Sequence, residues 1–193
     1  MKGINIHPLN KFQQWFNEAI ESNTIEPNAF SLATVGDNNI PSIRTVLLKS
    51  YDNNGFIFFS DKDSKKASQI SQNPNVAIHF VWLNLDKQIK IEGKAEVINK
   101  IDMAKYIFSR KKGLNISQWI SLESQVVTAR SILEAKFDNM IAKFSDGSLE
   151  FPSFWSGYII KPILIEFWQG GKDKLHIREE YKLINNRWDM IKL

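Results

Sequence analysis

The chain has 193 residues, of which 43% are hydrophobic and 24% are charged, and it contains no cysteine. These proportions are typical of a soluble globular protein and exclude the disordered and fibrous classes, so we expect one domain over residues 1–193. The lack of cysteine excludes disulfides, thiolate metal sites and a cysteine nucleophile. A formal charge of +4 is compatible with an anionic partner but does not identify one.

The N-terminal segment has no continuous apolar stretch of the kind that a secretion signal requires. No part of the chain approaches the run of about 18 apolar residues that predicts a membrane-spanning helix. We therefore expect a cytoplasmic protein without a membrane span.

The first predicted element is an amphipathic helix in residues 9–23. Its apolar residues follow helical spacing: Leu9, Phe12, Trp15, Phe16, Ala19 and Ile20. Strand candidates follow in residues 29–36, 42–51, 55–60 and 75–84, with turn-rich segments such as "GDNNIP" and "DNNG" between them. Residues 88–99 alternate strictly, with Ile89, Ile91, Ala95 and Val97 on one face and charged residues on the other. This pattern predicts a half-buried strand.

Helical spacing returns in residues 101–110 and 124–145, and residues 157–171 and 180–193 are strand-like again. Strands outnumber helices, and most adjacent strands are joined by short turns rather than by helical crossovers. This arrangement favours an antiparallel barrel over a doubly wound parallel sheet. The predicted fold is mixed α+β and β-dominant, with peripheral helices.

The common catalytic motifs are missing from the sequence. The three histidines, His7, His79 and His176, stand far apart without paired spacing, so we expect no histidine metal site. His79 alternates within an apolar run, which is typical of a hydrogen-bonded sheet histidine. There is no Walker loop or nucleophile elbow, and "QGGKD" lacks the spacing of a dinucleotide fingerprint.

Two cations bracket the predicted strand "SIRTVLLKSY", residues 42–51. In an extended chain Arg44 lies on one face with Val46 and Leu48, whereas Lys49 lies on the other. A charge at the edge of an apolar face must reach water or meet an anion. The pattern therefore indicates either two snorkelling side chains or two separate anion sites.

Further cations occur at predicted helices. Ser64 is a candidate cap, and Lys65 and Lys66 fall in the first turn after it, where a bound phosphate would be favourable. A solvated run of charges is the alternative. Tyr106 and Arg110 are four residues apart on one predicted helix face, where they could hold one phosphate or pack together.

Six blocks in this order, "RTVLLK", "FFSDKDSKKASQI", "QIKIEGKAE", "KYIFSR", "PSFWSGY" and "IEFWQGGKDKLHIR", resemble the pyridoxamine 5'-phosphate oxidase family of FMN enzymes. The resemblance extends from about Leu9 to near the end of the chain. It implies an antiparallel FMN-binding split β-barrel. It also implies a homodimer, with each FMN bound at the interface between the subunits.

The resemblance also assigns site residues. FMN would be bound by Arg44, Thr45, Val46, Leu47, Leu48, Lys49, Phe59, Ser60, Lys65, Lys66, Gln88, Glu123, Ser124, Trp168 and Arg178. The substrate would be bound by Lys49, Tyr106, Arg110, Lys174, Leu175 and His176, with Lys174 and His176 as the catalytic candidates that orient the pyridine ring. Arg44 would contact the FMN phosphate and Lys49 the phosphate of the substrate.

The implied reaction needs little from side chains. A hydride leaves the carbon next to the pyridine ring of a small phosphorylated substrate and reaches the flavin, which O2 then reoxidises with release of hydrogen peroxide. The product would be pyridoxal 5'-phosphate. Such chemistry explains why no acid, base or nucleophile motif is present, because the cofactor supplies the reactivity and the protein supplies orientation.

Several positions depart from the family pattern. Leu114 stands where serine is usual, Lys174 and Lys65 where arginine is usual, and Glu123 where glutamine is usual. We also expect no N-terminal arm ahead of the first helix, a segment that helps to cover the substrate in many members. These departures leave open a related split-barrel oxidase of another ring substrate, of the phenazine-biosynthesis type.

A binding module is the alternative from another class. It would use the basic segments "DKDSKKAS" and "SRKKG" to contact nucleic acid. Such a module needs aromatic stacking positions beside the cations, and the aromatic residues here mostly fit strand cores. We therefore expect neither nucleic acid nor a membrane as a partner.

Overall fold

The computed structural model of the chain describes residues 7–98, 155–171 and 176–192. Its elements are α1 (Pro8–Glu21), β1 (Ala29–Val35), β2 (Pro41–Leu47), β3 (Ser50–Asp52), β4 (Gly55–Asp61), α2 (Lys65–Gln72), β5 (Asn75–Trp82), a 3-10 helix (Leu83–Leu85), β6 (Lys87–Val97), β7 (Trp155–Gln169), β8 (Ile177–Ile184) and β9 (Arg187–Lys192). Within these ranges, no helix combines the length and hydrophobicity that a transmembrane segment requires. The helices predicted for residues 101–110 and 124–145 lie outside the described residues.

The strands form one antiparallel sheet in the order β2-β1-β5-β6-β7-β4-β3, and β8 and β9 extend it from β7. Strand β7 has three neighbours because it is long. Residues 155–160 pair with β4, residues 164–169 pair with β8, and most of the strand also pairs with β6. The sheet therefore divides along β7, and the predicted antiparallel, β-dominant fold is confirmed.

A bulge bends β6 and β7 near the middle of their pairing. The register shifts between Glu92 and Gly93, where Pro162 lies opposite Gly93. A Cβ atom on Gly93 would lie 2.3 Å from the carbonyl oxygen of Lys161, so only glycine allows this close approach. A bulge with a strand proline increases the local twist, which helps the sheet to curl into a split barrel.

Helix α1 closes one end of the hydrophobic core. Phe12 is fully buried, and its ring makes edge-to-face contacts with Tyr51, Phe56 and Phe80 at centroid distances of 4.8, 4.9 and 5.3 Å. These three rings belong to β3, β4 and β5, so one helical side chain joins both halves of the sheet. Edge-to-face aromatic pairs add stabilisation beyond the apolar area that they bury.

The predicted elements match the structure closely, with four corrections. Residues 180–193, predicted as one strand-like segment, belong to β8 and β9, which are joined by a turn at Asn185 and Asn186. Ile20, predicted on the apolar face of the first helix, is 50% exposed. Residues 42–51, predicted as one strand, form β2 and β3 with a break at Leu48 and Lys49. The buried face predicted for β6 contains Ile89, Ile91 and Ala95, but Val97 is 64% exposed because β6 ends there.

Candidate functional site

Arg44 lies on the inner face of β2, within a network of hydrogen bonds. Its Nη1 donates to the carbonyl oxygen of Leu32 at 3.1 Å and to the hydroxyl of Thr34 at 2.6 Å. Its Nη2 donates to Oε1 of Gln69 at 3.3 Å. Thr34 and Gln69 are buried, and the Thr34 hydroxyl donates to the same Gln69 oxygen at 2.7 Å. The guanidinium is therefore held by groups on β1 and α2.

The charge of Arg44 has no carboxylate partner among the described residues, because the three groups that it contacts are all neutral. Partial burial lowers the pKa of Arg44 from its usual value, which shows that the surroundings disfavour the cation. The group still stays charged, since arginine does not lose its proton in proteins. The guanidinium has five N–H groups, and those not used in this network can bind an anion.

A second polar cluster lies where β4 ends and α2 begins. Ser60 is fully buried, and its hydroxyl accepts a hydrogen bond from Nζ of Lys66 at 2.9 Å and lies 3.1 Å from the hydroxyl of Ser64. Ser64 is the N-cap of α2 and accepts from the backbone N–H of Ala67, as the sequence predicted. Lys65 is exposed in the first turn. The N-terminus of α2 therefore combines the ammonium group of Lys66 with the hydroxyl groups of Ser60 and Ser64.

The Arg44 network and this cluster are connected through α2. Gln69, which contacts Arg44, follows Lys66 by three residues on the same helix, so the two side chains lie on one face. The structure thus links Arg44 through Gln69 to the start of α2, where Ser60 and Lys66 are in contact and Lys65 is exposed. Positive charge at a helix start suits a phosphate.

The remaining predicted residues of "RTVLLK" surround the break after β2. Val46 and Leu48 are buried on the face of Arg44, whereas Thr45 is exposed and Leu47 is half-buried. The backbone N–H of Leu48 bonds to the carbonyl of Asn28, and that of Lys49 bonds to Ile57 in β4, both at 2.8 Å. Lys49 is half-buried at this crossing point and so lies in different surroundings from Arg44.

A third group forms a row across three neighbouring strands. Gln88 on β6 lies opposite Trp168 on β7, which lies opposite Arg178 on β8. The amide oxygen of Gln88 is 3.1 Å from Nε2 of His79, which gives this sheet histidine the partner that the sequence predicted. The rings of Trp168 and His176 are 4.7 Å apart. Four predicted residues from two segments of the sequence therefore lie together.

This row faces away from the core. Gln88 alternates with the buried Ile89, and Trp168 with the buried Phe167, so both point to the outer face of the sheet. Arg44, by contrast, shares the inner face with Val46. The candidate site thus consists of two groups on opposite faces of the sheet.

Other predicted residues fall elsewhere. Phe59 is buried on β4, and its ring is stacked 6.3 Å from that of Trp155. Those outside the described residues are Tyr106, Arg110, Glu123, Ser124, Lys174 and Leu175, together with the departure at Leu114.

Sequence reasoning missed two buried polar residues of the site, Thr34 and Gln69, and a buried carboxylate beside it, Glu166. The carboxylate of Glu166 lies between two cations, with Nη2 of Arg178 donating to Oε2 at 2.6 Å and Nζ of Lys90 lying 2.7 Å from Oε1. Burial raises the pKa of Glu166, but the close ion pairs with Lys90 and Arg178 outweigh burial, so the pKa lies below its usual value. A charged residue within the apolar run "ILIEFW" was the available signal.

Comparison with known proteins identifies the class to which this fold and site belong. An antiparallel split barrel is shared with PhzG from Burkholderia lata 383, solved in complex with tetrahydrophenazine-1-carboxylic acid, at a TM-score of 0.81 and 26% identity over 99% of this chain and 94% of that one. A pyridoxamine 5'-phosphate oxidase-related FMN-binding protein from Nostoc punctiforme has the same fold, with a TM-score of 0.75 and 17% identity over 99% of both chains. The protein is thus a split barrel of the flavoprotein type.

Sequence comparison gives the family. Residues 16–144 match the family described as pyridoxamine 5'-phosphate oxidase, and residues 155–193 match the pyridoxine 5'-phosphate oxidase C-terminal dimerisation region. The chain is 53% identical over 194 residues to pyridoxine/pyridoxamine 5'-phosphate oxidase of Aliarcobacter butzleri, covering 100% of this chain and 92% of the relative. For the Rippkaea orientalis protein of the same name, identity is 46% over 191 residues, covering 98% and 90%. The chain belongs to the pyridoxamine 5'-phosphate oxidase family.

Proposed function

We propose that this protein is an FMN-dependent oxidase that converts pyridoxamine 5'-phosphate or pyridoxine 5'-phosphate to pyridoxal 5'-phosphate, with O2 as electron acceptor and hydrogen peroxide as product. With pyridoxamine 5'-phosphate, water hydrolyses the imine formed by the oxidation and ammonia is released. Family membership over nearly the whole chain supports the activity. The observation that carries the cofactor assignment is Arg44, a half-buried cation with neutral partners among the described residues, beside the lysine-rich start of α2.

The phosphate of FMN fits the group formed by Arg44, Ser60, Lys65 and Lys66. Arg44 is already oriented by Thr34 and Gln69, so binding an anion there costs little further ordering of the side chain. Lys66 and Ser60 hold each other at 2.9 Å and can donate to the same anion. When bound, FMN supplies the ring that accepts two electrons from the substrate.

The outer row fits the flavin ring. Gln88 offers an amide, Trp168 an aromatic surface and Arg178 a cation, and the three are cross-strand neighbours on adjacent strands. Because Arg44 and this row lie on opposite faces, one subunit cannot present both groups to a single cofactor on one surface. We infer a homodimer in which each FMN is bound by Arg44 of one subunit and by the outer row of the other. The C-terminal dimerisation region, residues 155–193, contains both Trp168 and Arg178.

The substrate side stays a prediction for most of its residues. We expect Lys49, Tyr106 and Arg110 to bind the substrate phosphate, and Lys174, Leu175 and His176 to orient the pyridine ring. His176 packs against Trp168, which is consistent with a ring bound close to the flavin. We expect the departures at Leu114 and Lys174 to affect substrate choice, whereas the departure at Glu123 lies among the residues assigned to FMN. A phenazine-type substrate is less favoured, since PhzG is only 26% identical whereas pyridoxine/pyridoxamine 5'-phosphate oxidases reach 53%.

The test is a visible spectrum of the purified protein, followed by incubation with pyridoxamine 5'-phosphate under air. We expect flavin absorption, and pyridoxal 5'-phosphate and peroxide formed in equal amounts. A colourless protein that does not take up FMN would contradict the cofactor assignment. A yellow protein that leaves both phosphorylated substrates unchanged would favour another ring substrate. The cytoplasmic location inferred from the sequence stays a prediction.

A further inference from the structure

Glu166 is a buried carboxylate that the proposed function leaves without a role. Its side chain is 6% exposed, although Lys90 and Arg178, which pair with it, are 51% and 43% exposed. The contact with Arg178 is a directed hydrogen bond of 2.6 Å. Lys90 lies close enough to Oε1 for ion pairing, yet that oxygen has no well-directed hydrogen bond among the described residues.

We propose that Glu166 is a positioning residue that holds the guanidinium of Arg178 beside Trp168, in the orientation that contacts the flavin. This inference rests on the proposed function, because it takes Arg178 to be a flavin contact. Glu166 itself would touch neither cofactor nor substrate.

Strand geometry supports this role. Glu166 and Trp168 are two residues apart on β7 and so share the outer face, while Arg178 lies directly opposite Trp168 on β8. To reach Glu166, the Arg178 side chain must extend diagonally along β7. The residue directly opposite Glu166 is Glu180, whose carboxylate pairs with Lys182 at 2.9 Å. Glu180 therefore forms its ion pair with Lys182, whereas Arg178 forms its ion pair with Glu166.

Stability alone is a poor explanation for this buried charge. Apolar residues of similar size often stabilise a fold as well as a buried ion pair does, so such a pair is weak evidence for a role in folding. A half-exposed arginine with no anchor would sample many rotamers, and a flavin would then have to order it on binding. A fixed carboxylate removes that cost. Lys90 provides a second positive charge that keeps Glu166 ionised.

The experiment compares Glu166→Gln, which keeps the size of the side chain but removes its charge, with Glu96→Gln. Glu96 is a matched control, because it also forms a cross-strand ion pair between β6 and β7, with Lys161 at 2.6 Å, but is 51% exposed. FMN affinity is measured by fluorescence quenching on titration of each full-length apoprotein. The thermal unfolding midpoint of each apoprotein is measured in parallel. Glu166→Gln should weaken FMN binding roughly tenfold, about 1.4 kcal/mol, with the control unchanged.

The double variant with Arg178→Ala separates positioning from a general structural effect. If Glu166 acts through Arg178, adding Glu166→Gln to Arg178→Ala should change FMN affinity by less than about twofold, because the two effects are not additive. Additive losses would overturn the proposal, because Glu166 would then affect FMN binding independently of Arg178. Unchanged FMN affinity in Glu166→Gln would do so as well. The unfolding midpoint confirms that each variant is folded at the temperature of the titration. If the parent protein does not quench FMN fluorescence at all, the proposed function fails before this question arises.

Discussion

Arg44 donates a hydrogen bond to the hydroxyl of Thr34 at 2.6 Å, across the pairing of β2 with β1. Thr34 is 1% exposed, and its hydroxyl donates a hydrogen bond to the amide oxygen of Gln69, which also accepts from Arg44. In this closed network each bond polarises the next, so the guanidinium is fixed before any ligand arrives. A pre-oriented cation with neutral partners is suited to binding an anion rather than to stabilising the fold.

Arg44→Ala should therefore weaken retention of FMN. A lost charge-assisted contact to a phosphate costs ~1.5–3 kcal/mol, or roughly 10- to 150-fold in affinity. Activity should return when excess FMN is added. Titration of apoprotein with FMN checks this result, with Lys94→Ala as control because Lys94 is an exposed cation on β6 outside the dimerisation region. Affinity within about twofold of the parent would mean that Arg44 is only a structural side chain.

Lys49→Ala should affect the substrate instead. Lys49 lies at the crossing after β2, where its backbone bonds to Ile57 of β4 rather than to β1. We expect the variant to remain yellow but to show a KM for pyridoxamine 5'-phosphate raised roughly 10-fold or more, from loss of a phosphate contact. Steady-state kinetics at saturating FMN measure this change, with Lys62→Ala in the exposed turn before α2 as control. A variant that loses FMN while keeping its KM would reverse the assignment of the two cations.

Acid should weaken the fold partly through Glu166. Its folded-state pKa lies below the usual value of 4.5, since Lys90 and Arg178 outweigh the opposing effect of burial. A group with a lowered folded pKa contributes stability above its unfolded pKa and loses it as pH falls through the folded pKa. The difference in unfolding free energy between the parent and Glu166→Gln should be constant near neutral pH and shrink below about pH 4.5. Urea unfolding of apoprotein at several pH values measures it, and a difference that grows in acid would contradict the assigned direction.

Much of the fold follows from local patterns. Alternation in residues 88–99 predicted the buried face of β6, and helical spacing predicted α1, because each signal lies within one segment. The break at Leu48 and Lys49 was missed because it accompanies backbone hydrogen bonds to Asn28 and Ile57. The local sequence "VLLK" gives no sign of these bonds, which form with distant segments. Val97 was wrongly predicted to be buried. Alternation indicates which side chains share a face of a strand, but it does not indicate where along the strand the hydrophobic core ends.

The candidate site was predicted only in part for a similar reason. The cations Arg44 and Lys66 stand out in the sequence, but Thr34 and Gln69 are ordinary polar residues 10 and 25 positions from Arg44. Their role depends on the pairing of β1 with β2 and on the packing of α2, which no local pattern specifies. The row of Gln88, Trp168 and Arg178 likewise depends on strand register, which arises from pairing across the sheet.

Dimer formation gives the last prediction. Ile184 is 49% exposed within the dimerisation region, on the same outer face of β8 as Arg178. A carboxylate there would have to be desolvated in a subunit interface, whereas in a monomer it would face water beside Arg187, its cross-strand neighbour. We expect Ile184→Asp to fold but to dissociate at micromolar concentration and to lose FMN with the partner subunit. Ile25→Asp is the control, since Ile25 is 91% exposed and lies outside that region. Sedimentation velocity with detection at flavin wavelengths measures mass and cofactor together, and a parent protein that sediments as a flavin-loaded monomer would refute the shared site.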